Sequence, residues 1–177
     1  ARWDPSSGAV DLDRLDGLDA LVHLAGESIA SGRWTTARMA RIRESRVAGT
    51  RALLTSLERL PRPPRTVVCA SAIGIFGNRG DETLSVRSTA GNGFLAYVGQ
   101  AWERSATAGD FDARRVMARF GIVLTPRGGA LASMLVPFRS GLGGRIGSGG
   151  QFMSWISLDD AIAALLTALF DYRLRGP

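Results

Sequence analysis

Short, predominantly apolar runs alternate along this chain with longer segments of helical periodicity, and that alternation limits the fold more than any other feature. A strand with apolar residues on both faces must be covered on both, which in practice means a parallel sheet layered between helices. Residues 19–25, ending at Gly26, read as one such strand, and 66–71 as a second, rich in β-branched residues. A third is expected over 115–124, and a short extended run over 152–156. Between them, a helix is expected over about 36–60, where Met39, Ile42, Leu53, Leu57 and Leu60 share a face before Pro61, Pro63 and Pro64 end it. Phe94, Val98, Ala101, Trp102 and Ser105 trace a second helix, and Leu131, Met134, Leu135 and Phe138 a third. Ser157 followed by Asp160 is a capping box opening a last apolar helix to about Phe170. The order predicts an α/β fold, a Rossmann-like doubly wound parallel sheet.

At 177 residues, 45% of them apolar and 21% charged, the chain is sized for one soluble domain. It contains no apolar stretch of about 18 residues, so no membrane span is expected. Residues 1–5 show neither a basic nor an apolar leader region, and a cytoplasmic location is the expectation. The lone Cys69 excludes an internal disulfide and a Cys-rich zinc site, and the lone His23 excludes a two-histidine helix motif, so no metal site is expected. The net charge of +6 is carried by arginine alone; the chain contains no lysine, hence neither a Walker-type phosphate loop nor a catalytic lysine. Its densest basic set, Arg38, Arg41, Arg43, Arg46 and Arg51, lies on the first helix without aromatic platforms, so nucleic acid is not the expected partner.

Ligands of open α/β sheets bind beyond the carboxyl ends of the strands. That rule points to Gly26-Glu27, Ser71-Ala72 and Phe120-Gly121-Ile122, although each glycine or serine taken singly reads equally well as a turn residue. The stretch from Gly74 to Gly93 is longer than a structural connection requires, which in a compact domain marks a functional loop. The Gly-x-Gly-x-x-Gly fingerprint does not occur, and the glycine cluster over 141–150 lacks its spacing and its strand-to-helix context. Residues alone therefore reach a nucleotide-binding-like α/β domain.

Several runs are familiar as a set: Leu24-Ala25-Gly26-Glu27-Ser28-Ile29, Gly32-Arg33-Trp34, Ser45-Arg46-Val47, Ser71-Ala72-Ile73-Gly74-Ile75-Phe76-Gly77, Trp102-Glu103, Gly121 to Leu124, Gly128 to Leu131, Pro137-Phe138-Arg139, and Trp155 to Asp160. In this order they resemble the atypical extended short-chain dehydrogenase/reductases, the epimerase family that also carries a cell-division-inhibitor-like label. The resemblance implies that the chain is a partial NAD(P)-binding domain over 1–177, with 128–157 contributing to the substrate side. It also implies a Gly-rich first strand-turn-helix and a second strand upstream, at least one βαβ unit of about 30 residues, and a family-specific domain downstream, leaving the sheet incomplete at the N-terminus.

The same resemblance implies a site for NADP(H), with NAD as the other possibility, contacted by Leu24, Ala25, Gly26, Glu27, Arg33, Ala70, Phe120, Gly121 and Ile122. Arg33 would reach a phosphate, as the fork of a guanidinium suits phosphate oxygens, or else be a solvated loop charge. A small-molecule substrate is the implied partner; its identity and the oligomeric state are not encoded in these motifs. Ser71 stands where the family carries its catalytic hydroxyl, with one residue of slack, and reads otherwise as a structural hydroxyl. The Tyr-x-x-x-Lys pair is missing: aligning the family's glutamate to Glu103 puts Gly99 at the lysine and Leu95 at the tyrosine, and Tyr97 lies on another helix face. A tyrosine near its usual pKa of about 10 needs a neighbouring cation to exchange protons near neutrality. The implied function is an NADP(H)-binding oxidoreductase or epimerase-like enzyme; the alternative is a non-catalytic NADP(H)-binding sensor.

Overall fold

The computed structural model describes residues 3–4, 9–30, 32–145 and 147–177. Residues 1–2 and 5–8, which include most of the segment 1–5 read for a leader, lie outside the described residues, as do Ser31 and Ile146. A short antiparallel ribbon, β1 (Trp3–Asp4) with β2 (Ala9–Val10), leads through a 3-10 turn into β3 (Ala20–His23). Helix α1 (Thr36–Leu57) crosses to β4 (Thr66–Ala72), and α2 (Phe94–Ser105) crosses to β5 (Arg114–Phe120). The three longer strands form one parallel sheet in the order β3-β4-β5, with Val22 beside Val68 and Val68 beside Val116. Alternation along β4 supplies both faces. Val67 and Cys69 join Leu54, Leu57, Leu60, Ala106 and Met117 in the core on one side. On the other side Val68 and Val116 pack against Ala168 of α4 (Leu158–Phe170). Helices on both faces of parallel strands make the doubly wound layering expected from the apolar runs.

The third strand differs from expectation. In place of one run over 115–124, the backbone breaks at Gly121, and β6 (Ile122–Leu124) pairs in parallel with β7 (Trp155–Ser157) in a second sheet. The cause is a close approach: a Cβ on Gly121 would stand 2.8 Å from the carbonyl carbon of Ser154. The Ile122 amide donates to Ser154 O at 2.9 Å, replacing a ladder bond to the first sheet. Helix α3 (Gly129–Arg139) follows β6, and α4 packs on both sheets. Ser157 caps α4 as the sequence predicts, accepting from the Asp160 amide at 3.0 Å and donating to its carboxylate at 2.8 Å.

The far end of α4 is closed by a buried cation. Arg114 donates to the carbonyls of Ala168 at 2.8 Å, Leu169 at 2.7 Å and Leu174 at 3.0 Å. A guanidinium suits a helix C-terminus, where unpaired carbonyls concentrate negative potential. Among the described residues no helix is long and apolar enough to cross a membrane, and no cluster of three His, Cys, Asp or Glu side chains could hold a metal.

Candidate functional site

The parallel register brings the ends of β3, β4 and β5 to one edge: His23 lies beside Cys69, Cys69 beside Met117, and Ala72 beside Phe120. The segments 24–27, 70–72 and 120–122 thus lie together at the carboxyl edge, the arrangement anticipated from the strand order. Leu24, Ala25 and Gly26 are exposed, Glu27, Ala70, Phe120 and Gly121 half-buried, and Ile122 exposed. The turn at Leu24, Ala25 and Gly26 is exposed along that edge, whereas the space beside Gly121 is taken by Ser154. A dinucleotide lying across strand ends needs an accessible first turn, and residues 24–26 fit that need. Arg33 is exposed in the loop before α1.

The first turn is held from beneath by α1. Arg46 Nη1 donates to Glu27 O at 2.9 Å, and Ser45 Oγ accepts from the Glu27 amide at 3.0 Å. Arg38 donates to Ser28 O and lies 3.6 Å from the Glu27 carboxylate, with Arg41 at 3.9 Å. Three arginines of the densest basic set therefore anchor a loop; periodicity alone placed them on a basic helix and gave no sign of this. Arg46 also lies 5.2 Å over the buried indole of Trp102. A Cβ on Gly26 would come 3.2 Å from its guanidinium carbon, which explains the glycine by close approach.

Below that turn, Trp102 Nε1 donates to Thr50 Oγ1 at 3.0 Å, and Thr50 Oγ1 lies 2.9 Å from His23 Nε2. An indole only donates, so Thr50 Oγ1 accepts from Trp102, and its hydroxyl can pair with His23 Nε2 as donor or as acceptor. Burial holds the His23 pKa below its ordinary value, keeping the ring neutral. The Trp3 ring stands edge-on to it at 5.1 Å.

Ser71 occupies a different setting from a free catalytic hydroxyl. It is 4% exposed, on the strand face toward α2, and donates to Glu103 Oε1 at 2.6 Å. Arg119 holds that carboxylate through Nε to Oε1 at 2.7 Å and Nη2 to Oε2 at 2.8 Å. The fork-to-fork pair raises the Arg119 pKa, chiefly through its hydrogen bond to Glu103. Sequence reasoning did not single out Arg119. The available signal was a charged residue within an apolar strand, a position that calls for a buried counter-charge. Leu95, at the family's tyrosine position, lies within 3.7 Å of where a Gly74 Cβ would stand. Tyr97 is 59% exposed on the same helix.

No family model matches the chain. It is 42% identical to an epimerase family protein of Mycobacterium tuberculosis over 176 residues, covering 99% of this chain and 58% of that protein. The chain belongs to the epimerase family. A Bacillus subtilis epimerase family protein is 34% identical over 174 residues, 97% of this chain and 57% of its own length. Among solved structures, the human epimerase family protein SDR39U1, described with NADPH, superposes with a TM-score of 0.85 at 34% identity, covering 92% of this chain and 56% of that one. A nucleoside-diphosphate sugar epimerase from Corynebacterium glutamicum superposes at 0.83 with 37% identity, covering 99% of this chain and 36% of that one. The chain thus spans a little over half the length of the curated epimerase family members above.

Proposed function

We propose that this chain is part of an NADP(H)-binding oxidoreductase or epimerase-like enzyme, with the dinucleotide lying across the carboxyl edge of the first sheet. The observation that carries the reading is the convergence of residues 24–27, 70–72 and 120–122 on that edge, with the turn at 24–26 exposed. The human relative solved with NADPH supports the choice of cofactor. Leu24, Ala25, Gly26 and Glu27 would flank the dinucleotide, Arg33 would reach a phosphate, and Ala70, Phe120, Gly121 and Ile122 would flank the nicotinamide end. NAD is the second candidate. The cofactor supplies hydride transfer, so the protein has to orient it and polarise a substrate carbonyl.

Within this reading residues 1–177 form part of a nucleotide-binding domain, and 128–157, joined to the strand ends at Gly121, contribute to the substrate side. The partner is a small molecule, with Ser71 the candidate hydroxyl. We place the protein in the cytoplasm, beside a reduced nicotinamide pool. Titration of the intact protein with NADPH and NADH, followed by nicotinamide emission, tests the reading. Saturable binding preferring NADPH is expected, and absence of binding to either overturns it.

One observation favours a second reading, a non-catalytic NADP(H) sensor. The Ser71 proton is engaged by Glu103, and Leu95 and Gly99 occupy the tyrosine and lysine positions. Turnover of a carbonyl library, lost in Ser71→Ala, decides for the enzyme; tight NADPH binding with no turnover decides for the sensor.

A further inference from the structure

The stretch from Gly74 to Gly93, conspicuous in the sequence for its length, opens with the end of a 3-10 turn (Ile73–Phe76) and continues as a loop from Gly77 to Gly93 that plays no part in the dinucleotide reading. Its base is pinned. The Gly91 amide donates to Ile75 O at 3.0 Å, and a Cβ on Gly91 would stand 1.9 Å from Phe76 O. Gly77 adopts φ +66°, where a side chain would be strained and would meet Asn92 O at 2.9 Å. Within the loop, Arg79 forks onto Glu82 at 2.7 and 2.8 Å and donates to Thr89 O at 3.2 Å. Close ends and internal bonds define a compact Ω-type loop.

The middle of this loop is tied to the sheet by Arg119, whose Nη1 donates to Val86 O at 3.1 Å. One guanidinium therefore grips Glu103 with two nitrogens and the loop with the third, while lying 5.2 Å over the Phe76 ring. The Arg119 and Glu103 side chains are only 14% and 12% exposed. Such a pair adds little net stability over apolar residues of equal volume, so its value lies in placement. Lysine, a point charge on a flexible stem, cannot reproduce the planar three-way grip.

We propose that Arg119 is a positioning residue of the site: by holding Glu103, and through it Ser71, while gripping Val86 O, it fixes loop 77–93 against the ends of β4 and β5. The assignment rests on the reading of that edge as the ligand edge. Arg119 touches no ligand in this scheme; it sets the wall beside one.

Trypsin tests it without ligand, because Arg87 lies exposed one residue beyond Val86. In Arg119→Met and Arg119→Lys, cleavage after Arg87 should accelerate about tenfold, as expected for losing one charge-assisted hydrogen bond. Val67→Ala, a change in the buried core away from the loop, sets the background for lost stability. A wild-type cleavage rate in Arg119→Lys overturns the proposal, as does an equal acceleration in Val67→Ala. Should Arg119→Met fail to fold, Arg119→Lys decides alone. With NADPH added, emission of the bound nicotinamide should fall in both Arg119 variants and hold in Val67→Ala; unchanged emission in Arg119→Lys also counts against the proposal. Failure of the wild type to bind NADPH defeats the dinucleotide reading alone, since the cleavage arm needs no cofactor.

Discussion

His23 Nε2 and the Thr50 hydroxyl lie 2.9 Å apart across 27 positions of sequence, joining the end of β3 to the middle of α1 beneath the exposed turn at Gly26. Burial disfavours the charged imidazole at this position, lowering its pKa from the ordinary 6.5. Sign follows directly: above pH 6.5 the ring is neutral whether the chain is folded or not. As pH falls below that, the unfolded chain takes up a proton that the folded one resists. Stability should therefore decline from pH 6.5 down to the lowered folded pKa, with a slope of at most about 1.4 kcal/mol per pH unit from this group. Urea unfolding at pH 7.5, 6.0 and 5.0 measures it. A His23→Gln variant with the same slope over that window would show that another group is responsible.

Cys69 is buried between β3 and β5, and its thiol pKa is pushed up to about 12 by desolvation, partly opposed by the Arg115 charge. The thiolate is the reactive form, so the folded protein should resist thiol reagents at pH 8 and react at once when denatured. Rapid stoichiometric labelling under native conditions would contradict the packing around β4.

Gly121→Ala should cost roughly 1–3 kcal/mol, the usual penalty for inserting a group into filled space. The new methyl would meet Ser154 backbone atoms at 2.8 Å, and backbone cannot move aside as a flexible side chain can. Thermal unfolding reads the loss. In a variant that still folds, NADPH affinity should drop as well, because residues 120–122 belong to the proposed ligand edge.

Arg114→Met should lower stability by about 2–3 kcal/mol, since charged donors are withdrawn from buried carbonyls at the end of α4. Arg114→Lys should recover only part of it, because one ammonium cannot span Ala168, Leu169 and Leu174 together. Equal stability of all three proteins in urea would refute this account of the helix end.

Much of this architecture was legible in the sequence because it rests on local patterns. Apolar runs marked β3 and β4, proline marked the end of α1, and Ser157 with Asp160 marked the start of α4. The break at Gly121 was not legible, because its cause is Ser154, 33 positions later, and a glycine in a strand pattern does not declare what approaches it. The edge residues 24–27 and 120–122 followed from topology, whereas the Ser71–Glu103–Arg119 array needed three dimensions. Glu103 was noticed only through alignment, and Arg119 not at all, since no spacing links a helix carboxylate to an arginine 16 positions away on a strand. The arginines of α1 stood out in the sequence only as its densest basic set, whereas Arg38 and Arg46 bond to backbone carbonyls of the turn at 27–28.

The stop in β5 divides labour between two small sheets that share α4. A change confined to the β6–β7 pair reaches the three-stranded half only through that helix and the backbone at Gly121, whereas a change in the helix is felt by both.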